Sequence, residues 1–420
     1  MDDLVAVGTQ FMREVNAAAI LRRLRTETSM SVSALAKAVG LSRQAVTRSL
    51  NALVEEGLVE FGSLDRDAGR AGRPAQLVRF RAEAGYVLGL SISPQDLRVA
   101  VSDLAGTVAA TDVVQLGAGM DGAAAVEALL ATAERTLASA GVTPGDVWFA
   151  SVGTPGIVDP DAGVVKLIPS MPGLAGDILV RRLKDVLACP IYLDNDVKLA
   201  TQGERWRRAE RPEDSMVMVH WGERVGAGIV LNGELYRGAS NDAGDVGFLD
   251  LFCDDGAPGP AAAPRHPHGL GPFEQRVGGE EIVRLAVAAA ERDGDAAFRA
   301  SIAAAGERGF DAVLDAFAAG APPALEAIDV VARRFAKGVA VIRAILNPRL
   351  VVIGGPMARC GEPLLAAVRG RLAGEPLDQP GLEVSALQDD AVVHGALRHA
   401  LDEIERTKFG PPRSGRQETS

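Results

Sequence analysis

Two short helical patterns joined by a turn lie near the start of the chain, within residues 31–73. The turn is Val39-Gly40-Leu41, and Ser42 follows it. Ser42 suits the N-cap of the second helix, because its hydroxyl can accept an otherwise unpaired backbone N–H. Apolar residues then recur at helical spacing: Ala45, Val46, Leu50, Leu53 and Val54. This order predicts a helix-turn-helix.

The other face of the second helix is polar near its N-terminus, where it carries Arg43, Gln44, Thr47 and Arg48. In a helix-turn-helix this region meets base edges in the major groove of DNA. Arginine suits guanine and glutamine suits adenine. We therefore expect these four residues and Ser42 to bind double-stranded DNA.

Two strand patterns, residues 57–61 and 75–80, follow the second helix and enclose a polar loop. The loop contains Arg66, Arg70 and Arg73, which we expect to contact DNA phosphates or the minor groove. Residues 1–82 are therefore predicted to form a winged helix-turn-helix domain. The alternative is a solvated helical hairpin with scattered arginines.

Charge is unevenly distributed over the 420 residues, which carry a net −11. Residues 1–80 have a balance of +2 and the remainder −13, so only the first segment suits contact with phosphate. The three cysteines are widely spaced and form no CxxC pair, which argues against a disulfide framework. No secretory signal and no apolar run of about 20 residues is visible. We expect a cytoplasmic protein without a membrane partner.

Strand and helix patterns alternate in two rounds after residue 82, with glycine-rich turns at strand ends. The last strand is expected at residues 384–387. This α/β order predicts two lobes around a cleft, and ligands bind in such clefts outside the strand ends. The lobes are expected at residues 83–195 plus 391–407 and at residues 196–390. The polar residues 408–420 are predicted to be a disordered tail.

A set of short motifs occurs in a characteristic order: LGLSISPQDLRVAVSDLAG (88–106), GTPGIVD (153–159), DND (194–196), VGAGIVLNGELYRGA (225–239), AGDVGF (243–248), NPRLVVIGG (347–355) and HGALRHAL (394–401). Together they resemble the ROK family of repressors, open reading frames and sugar kinases. The resemblance implies a two-lobed actin/hexokinase-like ATPase fold, related to ribonuclease H, behind the winged helix-turn-helix.

The resemblance also indicates which phosphate-binding and catalytic features of a sugar kinase are present in this chain. The first phosphate loop falls on residues 91–95, where the family's aspartate is absent and Pro94 lacks an N–H donor. The second falls on residues 222–226, where Glu223 would repel ATP phosphates. Because positioning and charge stabilisation dominate phosphoryl transfer, we expect no enzymatic activity and no cofactor. Asp196, at the position of the family's base, would then be vestigial.

The sugar-binding positions of the family are partly kept. They fall on Ser170, Asn195, Asp196, Asp245 and Glu274, of which Ser170 and Asp245 replace the family's Asn and Glu. Carboxylates and amides suit the hydroxyls of a sugar-like effector. The alternative is that Asn195 and Asp196 only cap a helix, and that the cleft binds another ligand or none.

The family's zinc site is not matched. Its histidine is Phe248 here, and its cysteine run is replaced by PRHPHGLGPFE (264–274). Cys253, His266 and His268 would offer three ligands at unfamiliar spacing, whereas structural zinc sites use four. We therefore predict no metal.

The sequence thus predicts a transcriptional regulator, with repression favoured by the resemblance. One recognition helix reads few bases, so a homodimer or homotetramer on a palindromic operator is expected. A ligand near Asp196 would change lobe closure and so operator affinity. Two alternatives stay open: an ATP-dependent sugar kinase, and a ligand-independent regulator whose larger domain only dimerises.

Overall fold

A computed structural model describes residues 3–27, 29–64, 76–117, 119–208, 213–252, 269–373 and 377–409. The helices are α1 Asp3–Thr26, α2 Val32–Val39, α3 Arg43–Glu55, α4 Gly122–Ala140, α5 Ile178–Val186, α6 Asp196–Arg207, α7 Glu274–Val277, α8 Gly279–Arg292, α9 Ala296–Ala305, α10 Gly309–Ala318, α11 Pro322–Leu346, α12 Gly361–Leu372 and α13 Ala391–Thr407. The strands are β1 Met30–Ser31, β2 Val59–Leu64, β3 Gln76–Phe80, β4 Tyr86–Ile92, β5 Asp96–Asp103, β6 Val108–Gln115, β7 Val147–Thr154, β8 Ile157–Asp159, β9 Val164–Leu167, β10 Ile191–Asn195, β11 Ser215–Trp221, β12 Val225–Leu231, β13 Glu234–Tyr236, β14 Leu350–Gly354 and β15 Gly381–Val384.

The first domain is a winged helix built from α1, α2, α3 and a sheet of order β1-β3-β2. The Ser42 hydroxyl accepts from the backbone N–H of Ala45 at 3.2 Å, so it caps α3 as predicted. Helix α2 ends at Gly40, whose φ of 70° is the left-handed conformation that glycine adopts without strain. The wing loop, with Arg66, Arg70 and Arg73, lies outside the described residues.

The first lobe contains a sheet of order β10-β7-β4-β5-β6. Strands β4, β5 and β6 form an antiparallel meander, and β7 and β10 extend the sheet in parallel. Leu88 and Leu90 on one face of β4 pack with α4 and α5. Val87, which points to the opposite face, packs with α13.

The second lobe contains a sheet of order β13-β12-β11-β14-β15. Val217, Val219 and Trp221 cover one face together with α8, α10, α11 and α12. The last strand was predicted at residues 384–387 but is β15, which pairs in parallel with β14 up to Val384. The Ser385 N–H still donates to the Ile353 carbonyl of β14 at 2.8 Å, and the Ser385 hydroxyl donates to the buried carboxylate of Glu204.

Helices α6 and α13 cross at direct backbone contact between the lobes. A Cβ on Gly395 would lie 1.7 Å from the carbonyl oxygen of Leu199, and one on Gly203 would lie 2.4 Å from that of Ala391. Only glycine permits this approach. The helix that begins at Asp196 and the last helix are therefore packed as one unit.

The winged helix and α13 share one hydrophobic cluster. Ile20, Leu24 and Leu50 belong to it, as do Leu401 and Ile404 of α13. The two domains are therefore joined through a common core.

The chain is folded for two residues beyond α13. The side chain of Phe409 is only 7% exposed and meets the ring of Phe80 edge-on at 6.2 Å. The predicted tail therefore starts too early, because Lys408 and Phe409 belong to the folded chain, while residues 410–420 lie outside the described part. No helix among the described residues is long and apolar enough to span a bilayer.

Candidate functional site

The predicted recognition face of α3 lies on the surface. Arg43, Gln44, Thr47 and Arg48 are all exposed. Of the predicted apolar face, Val46, Leu50 and Leu53 are buried in the cluster that includes α1 and α2, Ala45 is half-buried, and Val54 is exposed at the end of the helix. The Thr47 hydroxyl donates to the carbonyl of Arg43 at 2.9 Å, which fixes its rotamer. The long side chains of Arg43, Gln44 and Arg48 are therefore available for base edges in a major groove.

Asn195 is a helix cap in this structure. Its Oδ1 accepts from the backbone N–H groups of Val197 and Lys198 at 3.0 and 3.3 Å. Its Nδ2 donates to the carbonyl of Gly156 at 3.0 Å, which ties the turn after β7 to the start of α6. The capping alternative thus describes how Asn195 is used, and a contact with a ligand remains a prediction.

Asp196 is the first residue of α6, directly after β10 ends. Burial raises its pKa, a nearby Asp194 adds to the rise, and His220 on β11 opposes it. Its Oδ1 accepts from the backbone N–H of Val197 at 2.8 Å. A carboxyl group with a raised pKa at a strand end suits contact with a ligand hydroxyl.

Lys198 places a cation close to the carboxylates of Asp194 and Asp245. This lysine was not predicted from the sequence as a site residue. It is only 5% exposed, and its ammonium donates to the carbonyl of Asn241. Burial lowers its pKa, while Asp194 and Asp245 raise it. Burial also raises the pKa of Asp245, and Lys198 opposes that shift. Asp194, Lys198 and Asp245 are thus electrostatically coupled beside Asp196.

Arg237 ties the second lobe to the first. Its guanidinium donates to Asp194 Oδ2 at 2.7 Å and Oδ1 at 3.2 Å, and to the Tyr192 hydroxyl at 2.8 Å. It also donates to Asn241 Oδ1 at 2.9 Å. Asn241 Nδ2 in turn donates to the carbonyl of Val158 at 3.0 Å. We call Arg237, Asn241, Asp194, Tyr192 and Val158 the interlobe latch.

The sequence does not predict most of this latch. Asp194 stood in the DND motif and Arg237 in a quoted glycine-rich motif, but 43 residues separate them. Only the fold shows that the end of β10 meets the residue after β13.

The carboxylate of Glu274 links two backbone segments at the edge of the cleft. Glu274 is 5% exposed; one carboxylate oxygen accepts from Val225 N–H at 2.9 Å and the other from Gly271 N–H at 2.8 Å. Ser170, by contrast, is exposed on the first lobe. The adjacent Pro169 lies close to Gly269 of the second lobe. The structure thus places these two predicted ligand residues in different surroundings, and their contact with a ligand remains a prediction.

No cluster of three metal-binding side chains occurs among the described residues. Cys253, His266 and His268, the weighed zinc ligands, lie outside them. Phe248, at the position of the family's histidine, is 59% exposed.

The first phosphate-loop position has its amide donors occupied. The Ser93 hydroxyl accepts from the backbone N–H groups of Gln95 and Asp96 at 3.2 and 3.0 Å. Pro94, which lies between Ser93 and Gln95, has no N–H group. A phosphate here would have to displace these internal hydrogen bonds.

The second phosphate-loop position is also closed by the chain's own contacts. The Gly222 N–H donates to the Arg224 carbonyl at 3.0 Å, and Val225 N–H is taken by Glu274. Burial raises the pKa of Glu223, and the nearby Asp311 and Glu280 raise it further. The turn therefore presents an acidic group, surrounded by others, to any incoming anion.

Each of the two parts of the chain matches a known protein family. The ROK family model matches residues 87–403, and the MarR family model matches residues 15–68. A xylose repressor of Caldicellulosiruptor bescii is 24% identical over 94% of this chain and 97% of its own length. A glucokinase of Halalkalibacterium halodurans is 25% identical over 66% of this chain and 83% of its own.

A solved ROK family transcriptional regulator, described as a homolog of the E. coli MLC protein, superposes with a TM-score of 0.71. It is 20% identical and covers 96% of this chain and 100% of its own. These matches confirm the predicted fold, a winged helix-turn-helix followed by a two-lobed actin/hexokinase-like domain.

Proposed function

The chain belongs to the ROK family, and we propose that it is a DNA-binding transcriptional repressor whose larger domain senses a sugar or sugar derivative. The observation that carries the proposal is the exposed polar face of α3. Arg43, Gln44 and Arg48 lie on the exposed side of a capped helix that buries Val46, Leu50 and Leu53 on its other side. The repressor named among its relatives matches nearly the whole chain, winged helix included.

The cleft between the lobes is the proposed effector site. Asp196, Lys198 and Asp245 provide the acceptors and the donor that a polyhydroxyl ligand needs, and the relatives include a xylose repressor and a glucokinase. A ligand that binds one degree of lobe closure better than another shifts the equilibrium between them. The operator is proposed to be palindromic and bound by a homo-oligomer, since two recognition helices are needed for specificity.

Loss of phosphoryl transfer is part of the proposal. It is supported by the internal hydrogen bonds of Ser93 and Val225 and by the acidic Glu223 at the two phosphate-loop positions. Preorganised donors and positive charge at these positions supply most of the catalysis in phosphoryl transfer.

DNA binding is tested by selecting genomic fragments with the purified full chain and measuring affinity for the enriched sequence. We expect Arg43→Ala and Arg48→Ala each to weaken binding by roughly tenfold, because a bidentate arginine–guanine contact contributes about 1–3 kcal/mol. Arg181→Ala, an exposed arginine on the first lobe, is the matched control and should bind like the parent. If both α3 variants bound as tightly as the control, this recognition face would be wrong.

A sugar kinase is the second candidate, because Asp196 stands at the base position and a glucokinase is among the relatives. A coupled assay of ADP release with ATP, Mg²⁺ and a panel of hexoses and pentoses separates the two. We expect no release above that of an Asp196→Asn variant. Sugar-dependent turnover that Asp196→Asn abolished would establish the kinase instead.

A further inference from the structure

We propose that helix α13 carries the state of the interlobe cleft to the winged helix, and that Arg237 is the residue on which this connection depends. The inference rests on the proposed control of a repressor by a cleft ligand and adds the route by which such control would act. Four sets of contacts, taken in order from the cleft to the DNA-binding domain, carry it.

The first set is the interlobe latch. Arg237 of the second lobe donates to both oxygens of Asp194, a residue with no exposed surface on the first lobe. Separation of the lobes would leave this carboxylate buried without its cation, which is strongly unfavourable. Lobe closure and the Arg237–Asp194 pair are therefore linked.

The second set joins the latch to α13. The Tyr192 hydroxyl donates to Asp194 at 2.9 Å and accepts from Arg237. Its ring stacks on the imidazole of His399 in α13, with centroids 3.7 Å apart and planes 14° apart. His399 Nδ1 also lies 3.0 Å from the Ser151 hydroxyl of β7. A displaced Tyr192 therefore cannot leave α13 undisturbed.

The third set is the glycine crossing of α6 and α13. Because Gly203 and Gly395 bring the two backbones into contact, α13 cannot stay in place when α6 moves. Helix α6 begins at Asp196, inside the proposed effector site. Ligand contacts at Asp196 and changes in the latch therefore act on the same helix pair.

The fourth set joins α13 to the winged helix. Arg25 of α1 forms an ion pair with Glu405 in the last turn of α13. The guanidinium of Arg25 also lies 6.0 Å from the ring of Phe80 and 5.9 Å from that of Phe409. Phe409 in turn contacts Trp148 at 6.5 Å. Aromatic and cation–π contacts of this kind are directional, so they transmit a shift of α13 to α1 and β3.

Hydrogen–deuterium exchange of the full chain, without DNA or ligand, tests the connection. In Arg237→Ala we expect amides of residues 391–409 and 76–84 to exchange at least fivefold faster than in the parent, because loosening the latch loosens α13 and its docking. Tyr192→Phe keeps the stacked ring but loses both hydroxyl bonds, and should give a smaller increase in the same segments. Arg292→Ala, which breaks an exposed pair with Glu326 in the second lobe, is the control and should change neither segment.

An increase confined to residues 192–195 and 234–245 in both variants would overturn the inference. If Arg237→Ala does not fold, Tyr192→Phe decides alone by the same criterion. The measurement does not depend on an operator or an effector, so its failure is distinguishable from a failure of the proposed function.

Discussion

His399 is a buried titratable residue whose surroundings set its charge. It lies between the Ser151 hydroxyl and the ring of Tyr192, and burial lowers its pKa to about 4. The imidazole is therefore neutral at pH 7. In the unfolded chain the pKa returns to about 6.5.

This difference predicts how stability depends on pH. Between pH 6.5 and 4 the unfolded chain binds a proton that the folded chain does not, so acidification removes stability. At pH 5 the contribution of His399 is a loss of about 2 kcal/mol relative to neutral pH. Chemical unfolding at pH 5 and 7.5 should therefore show that His399→Gln loses about 2 kcal/mol less on acidification than the parent does. Parallel losses would contradict the assignment.

Single residues differ in how far sequence alone can place them. The capping role of Ser42 follows from local chemistry, because a cap and its helix are neighbours in the chain. Tyr192 and Asp194, which accept from Arg237, lie on a strand distant in sequence, as does Ser151 beside His399, so no local pattern indicates these pairs. The sequence pattern gave no reason to single out Lys198, whose burial depends on contacts such as that with the Asn241 carbonyl, 43 residues away.

The element on which the architecture depends most is the crossing of α6 and α13. Both helices are required at the junction of the two lobes, and the glycines at their contact leave no room for a side chain. Gly370 in α12 is the opposite case, since a Cβ there meets nothing within 4 Å.

Substitution by alanine is predicted to have opposite effects at Gly395, in the helix crossing, and at Gly370. Gly395→Ala should destabilise the protein by about 1–3 kcal/mol, as expected for an overpacked core. Gly370→Ala should stabilise it by about 0.5–1 kcal/mol, because alanine costs less conformational entropy in a helix. Thermal unfolding of both variants measures the difference. Equal melting temperatures for Gly395→Ala and the parent would show that the helices are not in backbone contact.

Hydrophobic periodicity predicted most elements because each buries one face. Periodicity failed where strand pairing, and not the hydrophobic pattern, sets the bounds of an element. The last strand was placed at residues 384–387, whereas register with β14 sets it at Gly381–Val384. The short hairpin β8–β9 was missed because strands of three and four residues carry little periodic signal.

At the scale of the whole molecule, the sequence predicted two functional units but not the core they share. Phe409 was assigned to a polar tail, yet it packs with Phe80 and Trp148. The winged helix is thus held against the last helix, and that helix against the lobe junction. This continuity supports a repressor in which the cleft and the operator influence each other.

The most direct test of that account is operator affinity measured with and without sugar. Fluorescence anisotropy of the selected operator fragment would be recorded against a panel of pentoses, hexoses and their phosphates, for the parent, Asp196→Asn and the exposed control Asp185→Asn. We expect that one sugar changes the affinity of the parent and of Asp185→Asn at least tenfold. Asp196→Asn should bind the operator normally and lose the response. Unchanged affinity with every sugar, or an unaltered response in Asp196→Asn, would contradict it.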